Sequence, residues 1–225
     1  MKCLSLETSS TLGSVAIGEG GAPLAEVTLS VKAVHSVTVL EEISRLLDRV
    51  GWRVDTLDAV VVGAGPGSFT GVRIAASLAK GLCFAHDLPL FAFSSLWAVA
   101  AGSAASPLCT VFDARRGEVY AAQFPTGGKD PPARGPEVTA IGNLLDGLES
   151  VGEWTFAGEG ALVHGAAIES RGGRVLPPHQ GLPRASALLW LAETAPDHGR
   201  VSDRALWEPE YIRASGAQRG VGRHV

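Results

Sequence analysis

Leu57-Asp58-Ala59-Val60-Val61-Val62-Gly63-Ala64-Gly65-Pro66-Gly67-Ser68, running into Phe69-Thr70-Gly71-Val72-Arg73-Ile74, is the stretch from which the rest of the chain is read. Leu57 to Val62 has the length and valine content of a buried strand. Ile74, Leu78 and Leu82 then recur at helical spacing, so a strand feeds a helix through a glycine loop. In that loop Gly65 and Gly67 permit backbone angles closed to other residues, Pro66 fixes a turn, and Ser68 is placed to cap the helix. Free N–H groups at such a helix start can hold an anion, and the same geometry also serves as a tight structural turn. Neither common phosphate signature is complete. No Lys followed by Ser or Thr closes a Walker A loop, and Thr70 stands where GxGxxG needs its third glycine.

Upstream, Lys2 to Leu6, Gly13 to Ile17 and Leu24 to Ser30 are short β-prone runs separated by polar or glycine turns, the pattern of an antiparallel three-strand meander. From Thr38 the period changes to that of a helix, with Leu40, Ile43, Leu47 and Val50 on one stripe, a capping box from Thr38 to Glu41, and Gly51 at the C-cap. Leu90 to Phe93 adds a strand and Leu96 to Ala101 a helix. The second half begins the pattern again: Thr110 to Asp113 reaches a polar turn and returns through Glu118 to Ala121, as Leu4 to Glu7 returns through Ser14 to Ile17. Thr155 to Ala157 and Arg174 to Leu176 are further strand candidates, and Ile141 to Leu148, Leu162 to Ile168 and Ala185 to Leu191 have helical spacing. Pro125 to Pro136 is expected to be an exposed turn region. Two repeated α/β lobes, residues 1–104 and 105–225, with mixed sheets flanked by helices, account for both halves. Each first hairpin puts a carboxylate at a strand end, Glu7 and Asp113. Such a pair could face each other across a cleft and hold a hydrated magnesium ion beside a nucleotide, or could simply be solvated.

Composition narrows the functional classes. The 225 residues are 46% apolar and 19% charged, with 19 Lys and Arg, 23 Asp and Glu and a net charge of −4, so there is no global basic field for nucleic acid. Cys3, Cys83 and Cys109 have no close spacing, which removes a disulfide framework or CxxC site and fits a reducing cytoplasm. The N-terminus is too short in apolar residues for a signal peptide, and the uncharged stretch Leu88 to Phe112 is broken by prolines, serines and glycine, so no membrane contact is expected. His35, His86, His164, His179, His198 and His224 are dispersed without HxxxH or HExxH, so no metal site is expected. Ser94 and Ser95 lie in no GxSxG elbow. The end of the chain carries Arg213, Arg219 and Arg223 without an acid, the composition of a frayed terminus.

Leu6-Glu7-Thr8-Ser9, His35-Ser36, Gly65 to Ile74, Ala79-Lys80-Gly81-Leu82 and Asp113-Ala114-Arg115-Arg116-Gly117-Glu118-Val119-Tyr120 together resemble the TsaB (YeaZ) family, with matching spacing from residue 1 to about 124 and again near Pro209 to Arg213. That resemblance implies an actin-like (ASKHA, RNase H-like) fold of two lobes with the second reduced, in a family once called M22 glycoprotease-like. It implies a non-catalytic subunit that pairs with TsaD through first-lobe helices and works with TsaE in threonylcarbamoyl transfer to the adenosine next to the anticodon of ANN-decoding tRNA. No cofactor, and only indirect or weak tRNA contact, is implied for this subunit. Where TsaD carries metal-binding histidines, this chain has Ser94 to Val99. Glu7 replaces the Asp of many family members, and the added methylene would shift any metal-bound water.

Two groups of residues are therefore singled out. Glu7, Thr8, Gly65, Pro66, Gly67, Ser68 and Asp113 would form a vestigial nucleotide or anion loop. Val39 and Leu46, with the small residues Ala75, Ala76, Ala79 and Cys83, would face a TsaD-like partner, or a second copy when the chain is alone. The competing reading is an actin-like ATPase or small-molecule kinase. Against it stand the short second lobe and the lack of a recognisable adenosine loop.

Overall fold

The computed structural model describes residues 1–30 and 36–212. His35, His224 and the tail arginines Arg213, Arg219 and Arg223 lie outside the described residues.

β1 (Lys2–Glu7), β2 (Leu12–Glu19) and β3 (Ala22–Ser30) form the antiparallel meander. β1 pairs in parallel with β4 (Ala59–Gly63), which pairs in parallel with β5 (Leu90–Phe93), giving the order β3-β2-β1-β4-β5. The second sheet contains β6 (Leu108–Arg115), β7 (Glu118–Phe124), β8 (Arg134–Ala140), β9 (Thr155–Ala157) and β10 (Arg174–Val175), in the order β8-β7-β6-β9-β10. Each parallel and antiparallel pairing of the first sheet recurs at the matching place in the second. The repeat read from two hairpins thus extends over five strands. The second copy is the smaller, with its last two parallel strands cut to three and two residues.

β8 was hidden in the proline-rich stretch. Pro136 sits within it because an edge strand can spare a ladder N–H. The turn before it is not wholly exposed: Gly127 and Gly128 are buried, and Trp97 Nε1 donates to the Gly128 carbonyl at 2.9 Å.

Helix α1 (Ser36–Val50) begins two residues before Thr38, so the expected capping box falls inside the helix. Its buried side is Val39, Ile43, Leu46 and Leu47, while Leu40 is 49% exposed. The apolar stripe is therefore turned by one position from the one read at Leu40, because the sheet below takes the i, i+4, i+7, i+8 set. Gly51 has φ +70 beyond its end, as a C-cap requires. The glycine loop leads into α2 (Phe69–His86), and α3 (Ser95–Ala101) follows β5.

The second half supplies α4 (Ile141–Asp146), α5 (Glu159–Val163), α6 (Gly165–Glu169), α7 (Pro178–Gly181), α8 (Ala185–Thr194) and α9 (Pro196–Gly199). The single helix expected over Leu162 to Ile168 is broken at His164 into α5 and α6. Helix α8 buries Ala185, Ala187, Leu188, Leu189, Leu191 and Ala192, so it is apolar around most of its circumference and needs cover on more than one side. It packs against β1 to β4 of the first sheet and against α3. After α9, Val201 N donates to the Leu90 carbonyl, and residues 201–212 return along α2. The strands divide at 104/105, but α8 and the segment after it lie on the first sheet and do not follow that boundary. One apolar cluster, from Cys3 and Phe93 through Leu108 and Phe124 to Leu188 and Leu191, is shared by both halves.

Candidate functional site

The β1–β2 turn, the glycine loop and the N-terminus of α2 meet at one end of the first sheet. Ser68 N donates to the Ser9 carbonyl at 2.7 Å, Thr8 Oγ1 donates to the Gly71 carbonyl at 2.6 Å, and Gly71 N donates to Ser68 Oγ at 3.3 Å. The approach is so close that a Cβ at Gly67 would stand 2.3 Å from the Ser9 carbonyl oxygen, and one at Gly71 1.9 Å from that of Thr8. Gly67 also has φ +152. Ser68 caps α2 as its sequence position implies.

Two of the loop's donors are already committed within the chain. Ser68 N is used by Ser9, and Gly65 N donates to Ser95 Oγ at 3.3 Å. The β1–β2 turn packs directly on the loop through the Ser9 carbonyl, which favours the structural reading of Gly65, Pro66, Gly67 and Ser68.

Glu7 is not solvated. It has 0% exposure, accepts from Ser9 N at 2.7 Å and from Ser95 Oγ at 2.8 Å, and is the polar centre under the loop. Burial pushes its pKa upward, opposed by hydrogen bonds from Ser9, Ser95 and Thr8. Asp113 is half-buried at the end of β6, where its Oδ1 accepts from Arg115 N at 2.8 Å. The two carboxylates are thus not joined as a pair.

Asp113 instead neighbours Glu159, at the start of α5. Glu159 Oε2 accepts from Thr11 N at 3.0 Å, so the second lobe reaches across to the first hairpin turn. Burial and the nearby Asp113 both push the Glu159 carboxyl upward, while the Thr11 hydrogen bond pulls it down. Among the described residues, no three His, Cys, Asp or Glu side chains are grouped to share a metal ion. Glu7, Ser68 N and Thr11 N thus all have partners within the chain.

Sequence reasoning missed Ser95 and Glu159. Aligning the two repeats would have flagged Glu159, which follows β9 as the glycine loop follows β4. It also missed the contacts of the return segment, of which it singled out only Pro209 to Arg213. There Lys80 Nζ donates to the carbonyls of Ala205 and Trp207 at 3.1 and 2.9 Å, Glu210 N donates to Ala64, and Arg73 stacks 3.8 Å from the Phe69 ring while Nε donates to Tyr211.

The six residues assigned to a partner surface are corrected by burial. Val39 is 1% exposed, Leu46 6%, Ala76 5%, and Ala75, Ala79 and Cys83 0%. Five of them, all but Ala76, belong to the apolar cluster beneath α1 and α2. Small residues let α2 lie close on its own sheet. The sides of the two helices turned outward carry Val37, Leu40, Phe69 and Phe84 instead. A groove of about 470 Å³ between them is lined by Leu40, Leu47, Trp52, Leu82, Asp48 and His86.

Two sheets of one strand order, each sending its first hairpin turn into a common cleft, define a protein of the actin-like, RNase H-like class. The family described as TsaD: tRNA N6-adenosine threonylcarbamoyltransferase matches residues 24–218. Within that family the chain belongs to the TsaB (YeaZ) branch. It is 32% identical to the "tRNA threonylcarbamoyladenosine biosynthesis protein TsaB" of Bacillus subtilis over 97% of this chain and 96% of that one. To the protein of the same name in Escherichia coli it is 29% identical, over 95% of each. A solved Pseudomonas aeruginosa structure, described as an uncharacterized protein with similarity to peptidase YEAZ, superposes with a TM-score of 0.78 at 31% identity, over 94% of this chain and 99% of the other. Among the described residues no helix is long and apolar enough to cross a membrane.

Proposed function

We propose that this chain is a non-catalytic subunit of tRNA threonylcarbamoyladenosine biosynthesis that works in the cytoplasm by pairing with a TsaD-like transferase, in concert with a TsaE-like protein. The observation that carries the reading is similarity along nearly the whole chain to proteins named for that biosynthesis. The hydrogen bonding of Glu7 and Ser68 supports the non-catalytic part, since these two of the groups expected to receive a nucleotide hold the chain to itself. Contact with tRNA would be indirect or weak.

The partner face is the outward side of α1 and α2, around the groove at Leu40 and Leu82. Its apolar lining of Leu40, Ile43, Leu47, Trp52 and Leu82 is the composition that interface cores favour. A second copy could use the same face when the chain is alone. Reconstitution tests the reading: tRNA, a TsaD-like and a TsaE-like protein and the threonylcarbamoyl donor should give modified adenosine only when this chain is added. Turnover by this chain alone would overturn the non-catalytic assignment. Unchanged modification without it, or failure to co-purify with the TsaD-like protein, would overturn the scaffold. Saturable binding of Mg-ATP with hydrolysis would point to the ATPase class.

A further inference from the structure

A second concavity, of about 1020 Å³, lies along α8 and uses none of the residues of the cleft described above. The β2–β3 turn at Gly21 and Pro23, the α3–β6 connection over Ala101 to Ala105, and the β10–α7 segment surround it. It is at the upper end of the range of roughly 300–1,000 Å³ that small-molecule sites occupy.

The charged groups of the lining are of one sign. Arg174, Arg184 and His179 contribute to it, and no Asp or Glu does, in a chain whose net charge is −4. Neither arginine has a carboxylate partner among the described residues. Arg174 Nη2 donates to Thr155 Oγ1 at 2.9 Å, and Arg184 reaches only Thr28 Oγ1 and the His179 carbonyl, each at 3.5 Å. Two acids beside lining residues are already engaged: Glu26 accepts from Ser186 N and Oγ, and Glu193, which lies against Gly21 and Trp190, pairs with the amino terminus at 3.4 Å. The start of α8 adds no donors, because Ala185 N and Ser186 N are taken by Ser14 Oγ and Glu26.

Trp190 lines the same groove, half-buried. It follows Arg184 by six residues, ~9 Å along the helix axis. Val175, Leu176, Pro177 and Leu182 supply apolar wall. Guanidinium groups bind phosphate oxygens in a bidentate fork, and an indole face stacks on a planar base. Two guanidinium groups without carboxylate partners, an indole and an apolar wall are therefore complementary to a phosphorylated nucleoside.

We propose that the α8 groove is a binding site for a free nucleoside monophosphate, with Arg174 and Arg184 on the phosphate and Trp190 against the base. The site is separate from the cleft and independent of the TsaD-pairing proposal.

The test is calorimetric titration of the full chain with AMP, adenosine and inorganic phosphate without magnesium. AMP should bind saturably and at least about tenfold more tightly than either fragment, and the Arg174→Gln/Arg184→Gln double variant should lose at least that factor. Both arginines are at least partly exposed, so the variant is expected to melt as the parent does. Photo-crosslinking with 8-azido-AMP on the unaltered protein gives a second readout, and the label should fall on the peptide containing Trp190. Absence of saturable AMP binding, binding of phosphate as tight as that of AMP, an unaffected double variant, or a label on the β1–β2 turn or glycine loop would each overturn the proposal.

Discussion

Replacing Gly71 by Ala opposes two physical effects on one helix. Helix propensity favours Ala over Gly by ~0.5–1 kcal/mol. The added Cβ, however, would stand 1.9 Å from the Thr8 carbonyl oxygen, a backbone atom that cannot swing aside. Relief requires α2 to lift from the β1–β2 turn. Lifting strains the Thr8 Oγ1 to Gly71 hydrogen bond at 2.6 Å and the Ser68 N to Ser9 bond at 2.7 Å. Overpacking typically costs ~1–3 kcal/mol and each hydrogen bond is worth ~0.5–1.5 kcal/mol, so after the propensity gain the expected net loss is ~1–5 kcal/mol. Gly81, on the same helix, has no atom within 4 Å of its would-be Cβ, and is the internal control. Gly81→Ala should gain up to ~1 kcal/mol, or ~2–4 °C in melting temperature for a chain of this size. Urea and thermal melts of the two variants beside the parent decide the matter. A Gly71→Ala protein as stable as Gly81→Ala would show that the close approach of α2 to the turn is not a constraint on the fold.

Three further outcomes are expected. Because burial raises Glu7 above its ordinary carboxyl value of 4.5, the folded state retains a proton that the unfolded chain releases. Stability is thus full below the unfolded value and is lost as pH rises through the folded one; in urea melts from about pH 5 to pH 8, Glu7→Gln should gain on the parent, and parallel profiles would contradict this. Arg204 holds the carbonyls of Cys83 and Leu88 and the Asp87 carboxylate at 3.2, 2.6 and 2.7 Å, so Arg204→Ala should cost ~1–3 kcal/mol and Arg204→Lys should restore little, with melts that match the parent as the refuting result. Ala79→Arg should destabilise the first lobe itself by ~2–5 kcal/mol because its site is sealed, whereas the folded Leu40→Arg should lose at least about tenfold in capture by a TsaD-like protein. The reverse pattern would return the partner face to the small residues of α2.

What the chain says locally was legible in the sequence. Strand β9 falls where its apolar triplet lies, Ser68 caps α2, Gly51 ends α1, and the two hairpins mark a repeat, because turns, caps and periodicity depend on neighbours a few residues away. Family membership was legible too, from motifs quoted in order. The face that each helix buries was not. Periodicity places Val39, Leu40, Ile43, Leu46 and Leu47 on a broad apolar arc, but only the sheet underneath selects which part of it is sealed and leaves Leu40 outside. The same holds for the candidate site. Glu7 and Asp113 look equivalent as strand-end acids, yet one is buried under a loop whose Ser95 partner is 88 residues away and the other stands beside Glu159. The return of α8 and residues 201–212 to the first sheet is likewise invisible in their own sequence, since an apolar helix specifies that it must be covered and not by which sheet. Local hydrogen bonding and periodicity are properties of short segments; burial, ion pairing and pKa depend on atoms that only the closed chain brings within a few ångströms.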